Sequence, residues 1–505
     1  MAEPLDKGPR LEPPALVVHL RDEHWDTWGA ARNGARVVVT RLQAVALVLL
    51  VTLGAILIGI NPRYGLILCI SIITALYFMT GAHKIWLLIR GDAAPAHSLH
   101  SVSWPGQPTT ASELPFYTVL VPLYHEGRML PSLIENLKRI DYPRARIEIL
   151  LLIEMDDEET QRAVDDYQFP RYIRPLLMPP GQPRTKPRAL NIALRQARGE
   201  FIVVYDAEDR PEPDQLRKAV AAMKALPSEV VCLQARLNFY NQRQSALTRL
   251  FAVDYAVWYE QFLPGLTSGM ARPGAFVPLG GTSNHFRVEE LRSIGGWDPF
   301  NVTEDCDLGV RLGRAGLRVA MLDSTTWEEA VTRARPWIRQ RSRWVKGYLQ
   351  TYLVHMRGPL LLLKELGPRG FSDFQMLVGG SSLLLLINPF MWALTAVYIE
   401  SKGTGVGNFI EALFPRPIYY LALLSLLSWN FIFFYSSAYV CVRRGLADLT
   451  RYTLLTPLYW ILMSIGAWAG LLGLIRRPFY WVKTEHGASL DESGLRAMTA
   501  GSQAG

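Results

Sequence analysis

The sequence predicts an α/β domain set between two groups of membrane-spanning helices. Long uncharged apolar runs lie near both ends of the 505-residue chain, while the middle has an ordinary globular composition and is itself domain-sized. In that middle, short β-forming runs alternate with amphipathic helical patterns, which is typical of a mainly parallel sheet covered on both faces. These observations exclude a purely soluble protein and a compact all-helical transporter.

The charge and cysteine content narrow the class further. Only 19% of the residues are charged, against about 25% in soluble domains. The net charge of +8 does not indicate nucleic-acid binding, because Lys and Arg in a membrane protein mainly mark its cytoplasmic flanks. The cysteines are too far apart to predict a disulfide framework or a zinc cluster; they are Cys69, Cys232, Cys306 and Cys441.

Shifts in composition predict seven segments. They are a polar cytoplasmic tail (1–41), a transmembrane hairpin (42–90), a linker rich in Pro, Ser and Gly (91–115), the α/β domain (116–332), a basic amphipathic interface segment (333–370), further transmembrane helices (371–475) and a polar tail (476–505). Basic residues flank the hairpin, which predicts that both its ends and the α/β domain are cytoplasmic, in an inner or plasma membrane.

The number of spans conflicts with the charge of the C-terminal tail. Two spans before the domain and three after it would place the basic tail outside, against the positive-inside tendency. Either residues 371–399, which contain Gly379-Gly380 and Pro389, are not a simple span, or the tail is external.

Acidic residues occur where a parallel sheet would present them, after predicted strands at 117–121, 147–153 and 201–205 and at the start of a later helix. Asp and Glu favour loops and helix N-termini, which is sufficient to explain any one of these sites. Four sites at one sheet edge, where open α/β sheets bind ligands, indicate a functional site. The residues are Glu126, Glu154, Asp156, Asp206, Glu208, Glu304 and Asp305.

Crowded carboxylates repel one another unless a proton or a cation lies between them. Asp206 and Glu208 supply oxygen ligands suited to Mg²⁺ or Mn²⁺, which prefer carboxylates together with substrate phosphates. Lys186 and the basic cluster at 339–346 support a phosphate-bearing ligand, so metal and cations together would neutralise a departing diphosphate. Asp305 would then be free to act as a general base.

The order of the motifs resembles that of the family 2 inverting glycosyltransferases with a GT-A fold. Within them it resembles the membrane-integrated processive branch, which makes cellulose, hyaluronan and exopolysaccharide β-glucans. The resemblance covers roughly residues 116–350 and, in arrangement, the flanking spans. The motifs are PLYHE, IEMDD, KPRALN, YDAED, GGTSNHF, TED and QRSRW, of which TED and the Q-x-x-R-W pattern in the last are the most specific.

The resemblance implies a role for each matching residue. Asp305 stands at the general-base position, and Asp206 and Glu208 stand at the D-x-D positions that hold the metal and the diphosphate. The other donor-binding positions are Tyr124, Glu126, Glu154, Asp156, Lys186, Gln340 and Arg343. The acceptor-side positions are Trp344, Thr282, Ser283, His285 and Glu304.

This chain departs from the family pattern at two places. The usual pair of adjacent aspartates in the second motif is Glu154 and Asp156 here, which leaves open which carboxylate meets the nucleotide. The second metal aspartate is Glu208, and Asp209 follows it, so either could be the ligand.

Simpler explanations exist for the basic and aromatic motifs. Trp344 could be an interfacial anchor, and the arginines at 339–343 could bind anionic headgroups. The C-terminal segment 478–487 loosely resembles the gating loop of cellulose synthases and is equally explained as a juxtamembrane anchor.

Three functions compete on this reading. The first is a processive synthase that extends a β-linked exopolysaccharide, with UDP-glucose suggested as the donor by the resemblance alone, and helps to export it. The second is a transferase that moves one sugar onto a membrane lipid. The third, a silent scaffold or transporter, conflicts with the intact Asp305, Lys186 and Asp206. The expected partners are the nucleotide sugar, a polysaccharide or lipid acceptor, membrane lipids and, for export, accessory proteins, with no nucleic acid.

Overall fold

The computed structural model describes residues 34–93, 113–268 and 274–479, together with the backbone of Leu16–Val17. The strands of the described part are β1 (Leu16–Val17), β2 (Tyr117–Leu123), β3 (Ile147–Glu154), β4 (Ile173–Met178), β5 (Phe201–Val204), β6 (Arg210–Pro211), β7 (Val230–Phe239), β8 (Asn284–Arg287) and β9 (Arg318–Glu328). The three strands predicted from sequence are confirmed as β2, β3 and β5.

All of these strands belong to one sheet in the order β1-β4-β3-β2-β5-β8-β7-β9-β6. The half from β1 to β5 is parallel, as predicted, with Tyr117 opposite both Ile147 and Phe201. β8 runs antiparallel between β5 and β7, and β9 is parallel to β7. The carboxyl ends of β2, β3 and β5 therefore meet at one edge.

Apolar side chains cover both faces of the sheet, because alternate residues of a strand point to opposite sides. On β2, Leu120 packs into the layer that contains Leu190 of the following helix. Val119 and Val121 pack into the other layer, together with Leu133. A sheet buried on both faces explains why its strands read as continuous hydrophobic runs.

The helices before and within the domain are α1 (Arg41–Ile60), α2 (Pro62–Ala93), α3 (Leu130–Lys138), α4 (Glu158–Asp165), α5 (Lys186–Gln196), α6 (Gln215–Ala225), α7 (Ala246–Val257), α8 (Leu263–Thr267), α9 (Val288–Ser293) and α10 (Glu304–Arg314). Those after it are α11 (Ala334–His355), α12 (Pro359–Phe374), α13 (Ser381–Glu400), α14 (Gly405–Ala412), α15 (Arg416–Leu424), α16 (Asn430–Arg443) and α17 (Thr456–Arg476). Shorter 3₁₀ turns span Gly127–Met129, Arg144–Arg146 and Ala447–Leu455, and π turns span Trp258–Phe262, Gln375–Gly380 and Ser425–Trp429.

Five helical segments of the described chain are long and apolar enough to cross a membrane. They are Arg41–Ile60, Pro62–Asp92, Pro359–Glu400, Arg416–Arg443 and Ala447–Arg476. The third, Pro359–Glu400, has non-helical backbone at Gly367 (φ 68°), just before the predicted start at 371, and its helix then continues through the Gly379-Gly380 pair as a π turn. Pro389 also lies within a continuous helix.

Helix α11, which carries the Q-x-x-R-W motif, is held tightly between α17 and the start of α10. A Cβ added to Gly470 on α17 would lie 2.6 Å from the Ser342 carbonyl oxygen. A Cβ added to Gly347 on α11 would lie 2.3 Å from Oγ1 of Thr303, just before α10. The small residues thus allow the motif to lie close to the acidic pair at 304–305.

Candidate active site

A cavity of 1190 Å³ begins at the carboxyl edge of the sheet and continues between the candidate membrane-spanning helices. The prediction that the acidic motifs meet at this edge is confirmed. The residues proposed from sequence that line the cavity are Tyr124, Glu126, Glu154, Lys186, Asp206, Glu208, Thr282, Glu304, Asp305, Gln340, Arg343 and Trp344.

Lys186 connects the start of α5 to the end of β5. Its ammonium group lies 2.5 Å from Oδ1 of Asp206 and donates to the Gly281 carbonyl oxygen at 2.8 Å. Burial lowers the pKa of Lys186, but the charges of Asp206 and Glu304 outweigh it and hold the pKa above its usual value. The lysine therefore stays charged at the cavity wall.

The turn after β5 separates the two candidates for the second metal ligand. Oδ2 of Asp209 accepts a hydrogen bond from the Asp206 backbone N–H at 2.8 Å and another from the Thr282 hydroxyl. Asp209 thus closes the turn from behind, whereas Glu208 lines the cavity. Asp206 and Glu208 are therefore the pair of this turn that faces a ligand.

The donor set at this turn suits a divalent cation. Burial and the neighbouring charge of Asp206 raise the pKa of both Glu208 and Asp209 well above the usual range. Oδ1 of Asp209 is buried without a hydrogen-bond partner in the described chain. Within residues 34–93, 113–268 and 274–479, no group of three His, Cys, Asp or Glu has metal-site spacing. Two carboxylates still fit Mg²⁺ or Mn²⁺ when substrate phosphates complete the shell.

The acidic pair at the N-terminus of α10 lies across the cavity from this turn. Oδ1 of Asp305 accepts from the Cys306 backbone N–H at 2.7 Å. Burial raises the pKa of Asp305 to about 6, and burial together with the charge of Asp305 raises the pKa of Glu304 to about 8. Near neutral pH the proton therefore resides on Glu304, and Asp305 is the carboxylate able to accept another.

The motif on α11 brings a guanidinium and an indole to the same cavity. The acidic groups whose charges act on Arg343 are, in order, Glu304, Asp206, Asp305 and Glu208. The Trp344 ring stacks on Tyr255, with the centroids 6.2 Å apart and an interplanar angle of 27°. An arginine and an aromatic ring thus stand beside the carboxylates, as the Q-x-x-R-W pattern predicted.

Arg341, in the same basic cluster, does not serve as a phosphate or headgroup contact in this arrangement. Its guanidinium lies 4.4 Å from the Phe251 ring centroid and 4.2 Å from that of Trp344. Nη2 donates to Oη of Tyr459 at 2.7 Å and to Asp254 at 3.2 Å. Only 5% of its side chain is exposed, so Arg341 is a packed part of the cavity wall.

At the outer end, the cavity is bordered by residues of the first two motifs. Glu154 ends β3 and lies 3.8 Å from the guanidinium of Arg188. The pKa of Glu154 is raised to about 7, because the effect of burial exceeds the opposing effect of the Arg188 charge. Asp156 is not itself in the lining, but it pairs with Arg184, which lines the cavity, and both side chains are partly exposed. Of the two carboxylates left open by the sequence, Glu154 is therefore the one that faces the cavity.

Two acceptor-side residues require correction. Ser283 and His285 are fully buried and lie outside the cavity lining. The Ser283 hydroxyl donates to Oγ1 of Thr326 at 2.7 Å. Nδ1 of His285 lies 2.7 Å from Oη of Tyr117. The segment forms β8 rather than an open loop, so alternation turns His285 into the core, and contact with the acceptor does not fit its position.

Sequence reasoning missed Glu328, which ends β9 and lines the same cavity. Burial and the charges of Asp209 and Glu208 raise its pKa well above the usual range. The signal was present, since Glu328 follows a β-forming run as the other acidic residues do. That strand was not assigned from sequence.

The sheet and the acidic site at its carboxyl edge define a GT-A-like α/β domain. Residues 115–347 match the family model described as "Glycosyltransferase like family 2". This part of the chain, which is less than half of its 505 residues, is therefore similar to family 2 glycosyltransferases, and the apolar helices flank it.

Relatives with similar sequences act on different acceptors. The probable glycosyltransferase YdaM of Bacillus subtilis is 25% identical over 46% of this chain and 56% of its own length. The beta-monoglucosyldiacylglycerol synthase of Trichormus variabilis is 27% identical over 52% of this chain and 55% of its own. The probable glucomannan 4-beta-mannosyltransferase 1 of Arabidopsis thaliana is 27% identical over 46% of this chain and 43% of its own length. The chain thus spans about half the length of the curated relatives it matches.

A solved structure extends the comparison. The mannosyltransferase of Pyrobaculum calidifontis, in complex with GDP-Man and Mn²⁺, is 19% identical, with a TM-score of 0.48 over 80% of this chain and 99% of that one.

Proposed function

We propose that the protein transfers a hexose from a nucleotide sugar, with inversion, onto a growing glycan held at the membrane, and that the glycan leaves through the membrane part of the cavity. The observation that carries this proposal is the continuity of the cavity from Asp305 to the candidate spans. UDP-glucose is the donor in this proposal. The glycosyltransferase domain faces the cytoplasm of the inner or plasma membrane.

In the proposed reaction, the nucleotide lies between Tyr124 and Glu154, and its diphosphate faces Lys186, Gln340 and Arg343. Asp305 accepts the proton of the acceptor hydroxyl as that oxygen attacks the anomeric carbon. Lys186 and Arg343 stabilise the negative charge that develops on the leaving diphosphate.

The metal site of the proposal is formed by Asp206 and Glu208. When bound there, Mg²⁺ or Mn²⁺ would supply Lewis-acid neutralisation of the diphosphate. Asp206 would then hold the metal while Lys186 faces the diphosphate, so these two contacts would replace the ion pair between Lys186 and Asp206.

The lining of the membrane part supports passage of a sugar chain. Aromatic rings and uncharged polar side chains occur there among aliphatic ones; the lining includes Tyr77, Ser382, Asn388, Trp392, Trp429 and Trp460. The Tyr77 hydroxyl donates to Oδ1 of Asn388 across the helices. Aromatic faces stack on sugar rings, and hydroxyl and amide groups exchange hydrogen bonds with sugar hydroxyls.

A second candidate is single transfer to a membrane lipid, which the similarity to beta-monoglucosyldiacylglycerol synthases favours. The experiment supplies purified full-length protein with radiolabelled nucleotide sugars and a limiting acceptor, and then sizes the products. We expect UDP-glucose to give a few long chains. One sugar on every acceptor would support the lipid alternative, and exclusive use of GDP-linked or UDP-GlcNAc donors would overturn the donor assignment.

A further inference from the structure

Lys84 places a charged amine in the wall of the cavity, within an otherwise apolar helix. It belongs to α2, inside the candidate span Pro62–Asp92, and lines the cavity beyond the active site. None of the described residues lies within ion-pair distance of its ammonium group. A charge at such a position is costly unless a ligand or a charged neighbour compensates it, so ionisable groups within spans mark functional sites.

Asp254 on α7 is the acidic group whose charge acts on Lys84. It lines the same cavity, and 38% of its side chain is exposed there. Two neighbours bind one of its oxygens, Oδ2: Oη of Tyr459 at 3.0 Å and Nη2 of Arg341 at 3.2 Å. No described residue hydrogen-bonds to Oδ1, so this oxygen is available to a ligand.

Arg341 connects Asp254 to the ring proposed to hold the acceptor. The same guanidinium that donates to Asp254 lies 4.2 Å from the centroid of Trp344. It is fixed from other sides by Phe251, at 4.4 Å, and Trp337, at 5.0 Å. Asp254 and Trp344 therefore contact the same guanidinium, and both line the cavity.

We infer that Lys84 and Asp254 form a second sugar subsite, which binds the ring behind the terminal sugar of the acceptor. A free carboxylate oxygen accepts from sugar hydroxyls, and an ammonium group donates to them. An acyl chain at this position would leave the charge of Lys84 unpaired and Oδ1 of Asp254 without a hydrogen bond. The inference rests on the proposed function and specifies its acceptor as a glycan of at least two neutral sugars.

The experiment compares octyl β-glucoside with octyl β-cellobioside as acceptors for the purified full chain in a non-glycosidic detergent. Hydrogen bonds to charged groups are stronger than those between neutral groups, so we expect the KM of the wild type to be about tenfold lower for the cellobioside. In Lys84→Met and in Asp254→Asn this preference should fall to near unity. The change should appear in KM rather than in kcat.

The matched control is Lys402→Met, which removes an exposed lysine outside the cavity and should keep the wild-type preference. Binding of UDP to each variant shows that it is folded. Equal KM values for both glycosides in the wild type, or an unchanged preference in both variants, would overturn the subsite. If nucleotide is bound but neither glycoside is extended, the proposed function fails as well.

Discussion

The two ends of the cavity differ in the chemistry of their walls. The end inside the α/β domain contains Asp206, Glu208, Glu304 and Asp305, together with Lys186 and Arg343. The end between the candidate spans contains neutral polar and aromatic side chains, with Lys84 and Asp254 at the transition. Under the proposed function, the charged groups would bind the diphosphate and accept the proton, and the neutral groups would contact sugar.

The two ends also differ in how the chain builds them. The acidic residues of the charged end lie at or just after the ends of β2, β3, β5 and β9 or begin α10, so backbone topology brings them together, whereas Arg343 depends on the packing of α11 against α17. The neutral end depends throughout on packing of helices far apart in sequence, such as α2 and α13, where the Tyr77 hydroxyl donates to Oδ1 of Asn388. Substitutions at the two ends should therefore affect different steps.

The largest effect is expected from Asp305→Asn at the charged end. The amide keeps the shape of the side chain but cannot accept the acceptor's proton, and general-base catalysis contributes about 10²–10⁴-fold. We expect kcat to fall by about 10³ while the Kd for UDP changes little. Rate assays and calorimetric titration with UDP measure the two quantities.

A matched control for this variant is Asp165→Asn, which changes an exposed aspartate at the end of α4. It should behave as wild type. Turnover of Asp305→Asn near the wild-type level would remove Asp305 from the base position.

The next largest effect is expected from loss of the metal. Asp206→Ala and Glu208→Ala should each raise the Mg²⁺ or Mn²⁺ concentration needed for half-maximal rate by about tenfold or more, and chelator should abolish transfer. Binding of Mn²⁺, followed by electron paramagnetic resonance in the presence of UDP, gives a readout independent of turnover. Asp209→Asn is the informative comparison, because Asp209 faces the turn rather than the cavity. Full activity in chelator would contradict a metal role.

The pH profile gives an intermediate effect. Burial raises the pKa of Asp305 to about 6, and the reaction needs the deprotonated form. The rate should therefore rise with pH through about 6 and fall about tenfold per unit below it. Measured kcat/KM from pH 5 to 8, with UDP binding as a check on folding, tests this expectation. A flat profile between pH 5 and 7 would be inconsistent with Asp305 as the base.

Sequence reasoning succeeded where function follows local order and failed where it follows packing. The acidic motifs were found because strand ends of a parallel sheet meet at one edge. His285 was misassigned because its segment forms a strand, whose alternation turns the ring to Tyr117. Arg341 was grouped with Arg343, although residues two positions apart on a helix point in nearly opposite directions. The Arg341 guanidinium therefore packs on aromatic rings such as Phe251, whereas Arg343 lies near the carboxylates.

The neutral end was the least predictable region from sequence. Lys84 was interpreted only as a marker of the cytoplasmic flank, because no local pattern pairs it with a residue 170 positions later on α7. The candidate spans themselves were found from their apolar length.

The smallest effect, and the one that best separates the two ends, is expected from Trp344→Ala. Trp344 lies where the charged wall meets the aromatic one, with Arg341 over its ring at 4.2 Å and Tyr255 stacked beside it. Loss of an aromatic platform costs about 0.5–1.5 kcal/mol, which corresponds to about tenfold or less in acceptor use. Elongation should therefore fall more than hydrolysis of the donor by water, and products should become shorter. Trp392→Ala, deeper in the membrane part, should shorten products with a still smaller effect on hydrolysis. Equal loss of hydrolysis and elongation in Trp344→Ala would mean that the indole supports the donor site and that the two ends are not functionally separate.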